Sequence, residues 1–162
     1  MLTKEEVYDK LKELGVPFEV TEHNAVFTID DMKLIEGMNI DDVCKNLFLR
    51  DGKGKRHFLV VLREDKSANL KSLEAQLGAS HLSFASADRL MKYLGLTKGA
   101  VTPLGVLNDA NHDVEVLFDR DLQGRKRLGV HPCDNTATVW VSFDELKKVV
   151  EGCGNKFRFI NL

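Results

Sequence analysis

The stretch Thr97–Asn111, TKGAVTPLGVLNDAN, places Gly99, Pro103 and Gly105 within seven residues. Glycine tolerates positive φ and lets a ligand come close to the main chain. Pro103 fixes its own φ and pushes Thr102 toward extended geometry. This composition is typical of a stiff loop that lines a pocket with backbone N–H and C=O groups. Taken alone, the stretch also fits an ordinary glycine-rich connection from a helix to a strand.

On both sides of this loop, capped helices alternate with short apolar strands. Polar caps and glycine terminators predict helices over Thr3–Leu14, Thr28–Gly37, Asn69–Gly78, Ser86–Gly95 and Ser142–Gly152. Apolar or β-branched runs predict strands over Val16–Thr21, Cys44–Arg50, His57–Leu62, Val101–Leu107, Val114–Asp119, Leu128–His131, Thr136–Val141 and Phe157–Ile160. Short turns join most strands. We therefore expect an α/β fold of the α+β type, with one domain over residues 1–162 and a curved, mainly antiparallel mixed sheet surrounded by helices.

Composition and charge narrow the class of protein. Of 162 residues, 43% are hydrophobic and 30% charged, as in a soluble globular protein that buries a core without disulfides. A net charge of −2 argues against a protein that coats nucleic acid by bulk charge, but it leaves room for a local contact with nucleic acid. Three cysteines without a pairing pattern and a charged N-terminus predict a cytoplasmic protein with no membrane segment.

Lys45 lies near the start of the apolar strand VCKNLFL, and alternation places it on the same face as Leu47 and Leu49. A lysine on an apolar face either extends its amine to water or meets an anionic partner. One interpretation is a strand-end lysine in water. The other is a fixed cation for a phosphate or a developing oxyanion. We assign Asn46, the next residue of this strand, to substrate binding.

His131 lies in the segment GVHPCDNTAT, where Pro132 holds it in extended geometry. Its ring is either hydrogen-bonded near a turn or a pocket group that orients a substrate or water. Asn135 and Thr136 are either groups of the same site or residues that form the turn. The sequence has no C-x-x-C, G-x-S-x-G, P-loop or G-x-G-x-x-G pattern, so we expect no metal, cofactor or covalent nucleophile.

Two basic clusters are candidates for contact with nucleic-acid phosphates. They are Arg50, Lys53, Lys55 and Arg56 in one turn, and Arg125, Lys126 and Arg127 in another. The ordinary explanation for each is a solvated turn. A local contact with the end of a nucleic-acid chain, however, needs only a few phosphate contacts.

Three motifs in order, KNLFLRD from Lys45, GAVTP from Gly99 and HPCDNTAT from His131, resemble those of the freestanding prolyl-tRNA editing-domain family (ProX/YbaK-like). These proteins are aminoacyl-tRNA deacylases related to the insertion domain of bacterial prolyl-tRNA synthetase. The resemblance covers nearly the whole chain. It implies that Lys45 is the central functional residue and that His131 belongs to the site. It also implies that the Gly99–Pro103 loop, with Ala100, Val101 and Thr102, cradles the substrate.

The resemblance therefore predicts a deacylase that acts in trans on mischarged tRNA, with alanine on a proline tRNA as the expected substrate. Its partners would be the acceptor end of an aminoacyl-tRNA, for which the two basic clusters are candidate tRNA contacts, and, as a candidate, prolyl-tRNA synthetase. Two alternatives remain open. One is a related deacylase for Cys-tRNA or Ser-tRNA. The other is a non-catalytic module that binds tRNA or a synthetase.

Overall fold

The computed structural model describes the main chain of residues 1–162 and every side chain except that of Ile29. The α-helices are α1 Lys4–Glu13, α2 Ile29–Lys33, α3 Leu70–Leu77, α4 Ala87–Leu94 and α5 Phe143–Gly152. The strands are β1 Glu19–Glu22, β2 Cys44–Arg50, β3 His57–Arg63, β4 Ser83–Phe84, β5 Val114–Asp119, β6 Leu128–Val130, β7 Ala137–Val141 and β8 Phe157–Ile160. Each helix within the described residues is too short or too polar to cross a lipid bilayer.

The strands form two sheets, one of three strands in the order β1-β7-β6 and one of five in the order β4-β2-β3-β5-β8. All pairings are antiparallel except β3 with β5 and β5 with β8. This confirms the predicted fold class and the mainly antiparallel mixed pairing. The strands are nevertheless divided between two sheets, which an isolated bridge between Val43 and Gly129 connects.

Hydrophobic clusters cover both faces of the five-stranded sheet, and strand β2 shows how alternation sorts its residues. Cys44 and Phe48 belong to the larger cluster, which includes α1, α4 and α5. Leu47 and Leu49 face the smaller cluster, built with Leu73 and Leu77 of α3. The two faces of β2 are therefore those that the sequence predicts.

All five α-helices begin at their predicted caps. Thr3 and Thr28 each form a complete capping box, with Glu6 and Asp31 respectively. Strand β1 begins two residues after Pro17 and lies at the edge of its sheet, as expected of a strand near a proline.

The prediction of a strand over Val101–Leu107 is wrong. Residues Pro103–Asn108 form a 3₁₀ helix. Thr102 caps its N-terminus, because the Thr102 Oγ1 accepts a hydrogen bond from the backbone N–H of Leu104 at 3.3 Å. Proline suits the first turn of a helix because its missing N–H would have no partner there. Gly105 packs so closely on Leu96 that a Cβ at this position would lie 2.7 Å from Leu96 Cδ1. The β-branched residues suggested a strand, but the Thr-Pro cap decides the local structure.

Candidate active site

Strand β2 has an open edge at its N-terminal half. Strand β3 pairs with β2 from Cys44 to Arg50, whereas β4, on the other side, pairs only with Leu49 and Arg50 in the described chain. From Cys44 to Leu47 this outer edge therefore has no strand partner among the described residues. An open edge leaves main-chain N–H and C=O groups available to a ligand.

A cavity of about 200 Å³, which we call the central cavity, adjoins this edge. Its lining residues are Val26, Phe27, Thr28, Met32, Val43, Cys44, Lys45, Asn46, Gly99, Val101 and His131. Five residues that the sequence predicts for the site, from three separate segments of the chain, thus meet in one cavity. They are Lys45, Asn46, Gly99, Val101 and His131.

The ammonium of Lys45 is held in place rather than free in water. Its Nζ donates to the main-chain oxygen of Lys66 at 2.5 Å. Lys66 is itself fixed, because its Nζ lies 2.9 Å from Oδ1 of Asp119, a side chain with 1% of its surface exposed. The partner of Lys45 is therefore a carbonyl, not the anion that the sequence suggested. Since an ammonium has three N–H donors, two remain for a ligand.

Asn46 has unused hydrogen-bonding capacity. Its Oδ1 is buried and has no hydrogen-bond partner among the described residues. A buried acceptor without a partner costs on the order of 1–3 kcal/mol. Asn46 and His131 also line a recess of about 20 Å³ next to the central cavity, together with Thr138. A space of this size is enough for one water molecule.

His131 combines a fixed ring with a lowered pKa. Burial lowers the pKa of His131 below its usual value, and the hydrogen bond to the Ala137 carbonyl opposes this without cancelling it. The Nδ1 lies 2.9 Å from that carbonyl oxygen. Because a carbonyl can only accept, Nδ1 carries the proton of the neutral ring. Nε2 is then a proton acceptor at neutral pH.

Within the glycine–proline loop, Gly99 and Val101 line the central cavity. Gly99 has φ of +88°, and a Cβ there would lie 2.8 Å from Cδ1 of Phe27. Only glycine therefore lets the Phe27 ring close on the loop. Ala100, Thr102 and Pro103 are buried and lie outside the cavity lining within the described chain. They fix the loop from behind.

Asn135 and Thr136 do not line the central cavity within the described residues, but they hold its surroundings. Asn135 Nδ2 donates to the Val26 carbonyl at 2.8 Å, and the main-chain carbonyl of Asn135 accepts from the Val26 N–H at 3.2 Å. These two bonds fix one wall of the cavity. Thr136 Oγ1 donates to Asp134 Oδ1 at 2.6 Å and accepts from Lys4 Nζ at 2.9 Å. Thr136 thus belongs to the turn.

The sequence did not reveal the wall formed by Val26, Phe27, Thr28, Met32 and Val43. The capping box at Thr28 predicted that α2 begins there, but no sequence signal shows that this end faces a cavity. Val26, Met32 and Val43 belong to a small apolar cluster with Trp140. The wall is therefore supported from behind by packed side chains.

Cys44 also lines the central cavity, but its thiol is not an activated nucleophile. Burial raises the pKa of Cys44 to about 12, so the thiol stays protonated at neutral pH. Burial likewise raises the pKa of Cys133 to about 12. A thiolate is the reactive form of cysteine. An attack by either residue on an ester is therefore disfavoured.

The basic clusters lie outside the central cavity, and several of their charges have acidic partners. Arg56 pairs with Glu115 at 3.2 Å, Arg125 with Asp42 at 3.2 Å and Arg127 with Glu19 at 3.1 Å. Arg50 donates to the carbonyls of Asp51 and Gly52. The lysines Lys53, Lys55 and Lys126 are exposed. A contact with tRNA phosphates at these lysines stays a prediction.

The site thus unites a lysine, an amide, a neutral histidine and a glycine-bearing loop around a small cavity, without an activated cysteine. A family model described as the aminoacyl-tRNA editing domain matches residues 23–149. The chain belongs to this family, and it is an aminoacyl-tRNA deacylase, a hydrolase.

Similarity to individual proteins extends over the whole chain. The chain is 51% identical over 162 residues to the "Prolyl-tRNA editing protein ProX" of Acetoanaerobium sticklandii, covering 100% of this chain and 99% of that protein. It is 34% identical to the "Prolyl-tRNA synthetase associated domain-containing protein 1" of Danio rerio, covering 91% of this chain and 81% of that protein. A solved structure described as a candidate trans-editing enzyme for prolyl-tRNA synthetase superposes with a TM-score of 0.76 at 19% identity, covering 100% and 99% of the two chains. At that identity the match shows the fold alone.

Proposed function

We propose that this chain, as one editing domain over residues 1–162, hydrolyses the ester of Ala-tRNA(Pro) in trans. The proposal rests first on the relative that is 51% identical and is named a prolyl-tRNA editing protein. A synthetase that must accept proline discriminates against a smaller amino acid by only about 10–200-fold through lost methylene contacts. A separate hydrolytic site removes the error. Prolyl-tRNA synthetase is then the partner whose errors this chain corrects.

The observation that carries the proposal is the meeting of Lys45, Asn46, Gly99 and His131 in a cavity of only about 200 Å³. Pockets for drug-sized ligands are larger, at roughly 300–1,000 Å³. The remaining walls carry mainly valine, methionine and phenylalanine side chains, together with Thr28 and Cys44. A small apolar side chain such as that of alanine suits this volume and lining.

In this proposal each group has a separate task. The N–H groups of Lys45 that Lys66 leaves unused stabilise negative charge, on the terminal phosphate or on the ester oxygen as water attacks. The loop at Gly99 and Val101 holds the amino acid. Water in the small recess is oriented by Asn46, and Nε2 of His131 accepts its proton. The proton then passes to the ribose oxygen that leaves when the ester bond breaks. No covalent enzyme intermediate forms.

One observation favours a second candidate, a deacylase for Ser-tRNA or Cys-tRNA. The recess beside the central cavity carries polar side chains, those of Asn46, His131 and Thr138. A hydroxyl or thiol of the substrate could take the place of water there. The two candidates therefore differ in what occupies the recess, and a substrate comparison separates them.

The test is a panel of deacylation rates with Ala-, Ser-, Cys- and Pro-tRNA(Pro), measured with wild type and Lys45→Met. We expect wild type to hydrolyse Ala-tRNA(Pro) fastest and to spare Pro-tRNA(Pro). Lys45→Met keeps the length of the side chain but removes the charge. Loss of one such stabilising donor typically costs about 10²–10³ in rate.

Lys148→Met is the matched control, because Lys148 is an exposed lysine on α5 away from the central cavity. It should keep the wild-type rate. If Ser- or Cys-tRNA(Pro) is hydrolysed faster than Ala-tRNA(Pro), serine or cysteine replaces alanine as the amino acid removed. Equal rates for wild type and Lys45→Met would remove the role of Lys45. Tight tRNA binding without any hydrolysis would favour the non-catalytic module.

A further inference from the structure

A second concave region continues from the central cavity along the same strand. This outer cleft has a volume of about 280 Å³ and shares Asn46 and Val101 with the central cavity. The central cavity adjoins Cys44–Asn46, and the outer cleft adjoins Asn46–Phe48. The two spaces are therefore consecutive along β2, and a ligand that leaves the first at Asn46 enters the second.

The outer cleft is mostly apolar and has an unusual aromatic residue at its border. Phe84 is 64% exposed, although it is a phenylalanine in a strand. Its main chain is fixed by pairing of β4 with Leu49 and Arg50 of β2. The cleft also contains Leu90 of α4 and one cation, Lys98. An aromatic ring on a fixed main chain, beside a single positive charge, suits a flat ring that is attached to a phosphate.

We propose that the terminal adenine of the aminoacyl-tRNA stacks on Phe84 in the outer cleft, with Lys98 near its phosphate, which leaves Lys45 for the ester oxygen. This inference rests on the proposed function. If the aminoacyl group occupies the central cavity, the ribose that carries it lies at the boundary formed by Asn46 and Val101. The base attached to that ribose then reaches the next space along β2, which is the outer cleft.

The chemistry of the two spaces supports this order. The central cavity contains Lys45, His131 and the unpartnered Asn46 oxygen, which are groups that an ester hydrolysis can use. The outer cleft offers apolar surface, an aromatic ring and one amine. Stacking of a base on an aromatic side chain changes affinity by about 5- to 150-fold. Since all tRNAs end in the same nucleotide, this contact would bind the substrate without selecting among tRNAs.

The test uses Phe84→Ala and Phe84→Trp in the full chain, with Met91→Ala as the control. Met91 is an apolar side chain of α4 that is 42% exposed and lies outside the lining of the outer cleft in the described chain. On Ala-tRNA(Pro) we expect Phe84→Ala to raise KM about tenfold or more and to leave kcat within about twofold. Phe84→Trp and Met91→Ala should retain the wild-type KM.

A second measurement reads stacking without catalysis. Uncharged tRNA(Pro) carrying 2-aminopurine at its 3′ end should lose fluorescence on binding wild type and Phe84→Trp, and should keep it with Phe84→Ala. Equal quenching by wild type and Phe84→Ala would overturn the inference, as would an unchanged KM. If wild type quenches the probe but hydrolyses no aminoacyl-tRNA, the proposed function fails while the stacking site stands. If the cleft instead takes an apolar protein segment, the probe is not quenched by any variant.

Discussion

The two ends of the β2–β3 hairpin, Cys44–Arg63, both carry basic residues, yet they use their polar groups differently. At the tip, Asp51 Oδ1 accepts from the backbone N–H groups of Lys55 at 2.9 Å and Arg56 at 3.1 Å. Arg56 also makes two hydrogen bonds to Glu115, at 3.2 and 3.3 Å. At the base, the Asn46 oxygen has no partner among the described residues, and Lys45 is bonded to one carbonyl.

This difference shows what separates a structural turn from a site on one strand pair. The polar groups at the tip are hydrogen-bonded within the protein. These bonds stabilise the turn and leave few unpaired groups for a ligand. The base leaves an acceptor unpaired in a buried place, which costs stability unless a ligand or water completes it. The position of a charge on the hairpin is therefore less informative than whether its partners are already present.

A pair of glycines provides the strongest way to test this comparison. Gly99 at the cavity and Gly54 at the tip have φ of +88° and +68°. A Cβ at Gly99 would lie 2.8 Å from the Phe27 ring, whereas a Cβ at Gly54 would meet the guanidinium ends of Arg89 and Arg50 at 2.8 and 2.9 Å. We expect Gly99→Ala to lower the deacylation rate about 10²-fold, because a displacement of ~1 Å in a site can cost that much.

Gly54→Ala should leave the rate within about twofold, since flexible guanidinium groups can move aside. Both variants should lose on the order of 1–2 kcal/mol of stability, because alanine is strained at positive φ. Urea unfolding and single-turnover deacylation measure the two effects separately. If Gly54→Ala slows deacylation as much as Gly99→Ala, the tip is part of the site and the contrast between the two ends disappears.

The second test compares Asn46→Leu with Asp51→Ala. Asn46→Leu removes a buried acceptor without a partner and keeps a similar shape, so the free energy of unfolding should stay the same or rise, while deacylation slows. Asp51→Ala removes the acceptor of two backbone N–H groups in a residue that is 8% exposed. It should cost about 1–3 kcal/mol at pH 7 and leave the deacylation rate of the folded protein unchanged.

We therefore expect Asn46→Leu to lower activity without lowering stability, and Asp51→Ala to do the reverse. Denaturant unfolding curves and initial deacylation rates measure the two effects. A destabilised but fully active Asn46→Leu would mean that its amide is structural. Asp51→Asn serves as a milder control, because it keeps one amide oxygen for the turn.

Much of this hairpin was predictable from its sequence, because alternation, a polar turn and two apolar runs are local signals. The first and last residues of β2, the two faces of that strand and, elsewhere in the chain, the caps at Thr3 and Thr28 follow from such signals. The 3₁₀ helix at Pro103 was missed because the β-branched residues around it suggested a strand, although the Thr-Pro cap that decides the structure is itself a local signal. The wall at Val26 and Phe27 was missed for a different reason, because Val26 is held there by Asn135, 109 residues further along the chain.

Within the site, motif order indicated Lys45, His131 and the Gly99–Pro103 loop, and the structure brings Lys45, His131, Gly99 and Val101 together. Whether each acts as assigned stays a prediction. The carbonyl partner of Lys45 and the unpaired oxygen of Asn46 could not be read from the chain. Both depend on which neighbours the fold supplies, and no spacing rule encodes that.

A final and smaller effect concerns pH, because each end of the hairpin lies near a histidine with a lowered pKa. Burial lowers the pKa of His131 at the cavity, and burial followed by the charge of Arg89 lowers the pKa of His57 at the tip. A lowered histidine pKa favours the neutral form in the folded state. Both residues therefore support stability fully above the unfolded value of 6.5, and this contribution is lost as the pH falls below it.

The two histidines should separate when activity is measured over the same pH range. His131→Asn should reduce the acid loss of stability between about pH 7 and 5, and it should also lower deacylation and remove the acid limb of its pH profile. His57→Asn should change only the stability profile, since His57 lies away from the central cavity. Its ring stacks on that of Tyr93 with 3.9 Å between the ring centroids, and its Nε2 accepts from Arg89 at 3.0 Å. Because the pKa of His131 is lowered, wild-type activity should persist below pH 6.5 before it falls. An acid limb that survives in His131→Asn would show that another group accepts the proton. Only the purely structural role of His57 would then stand.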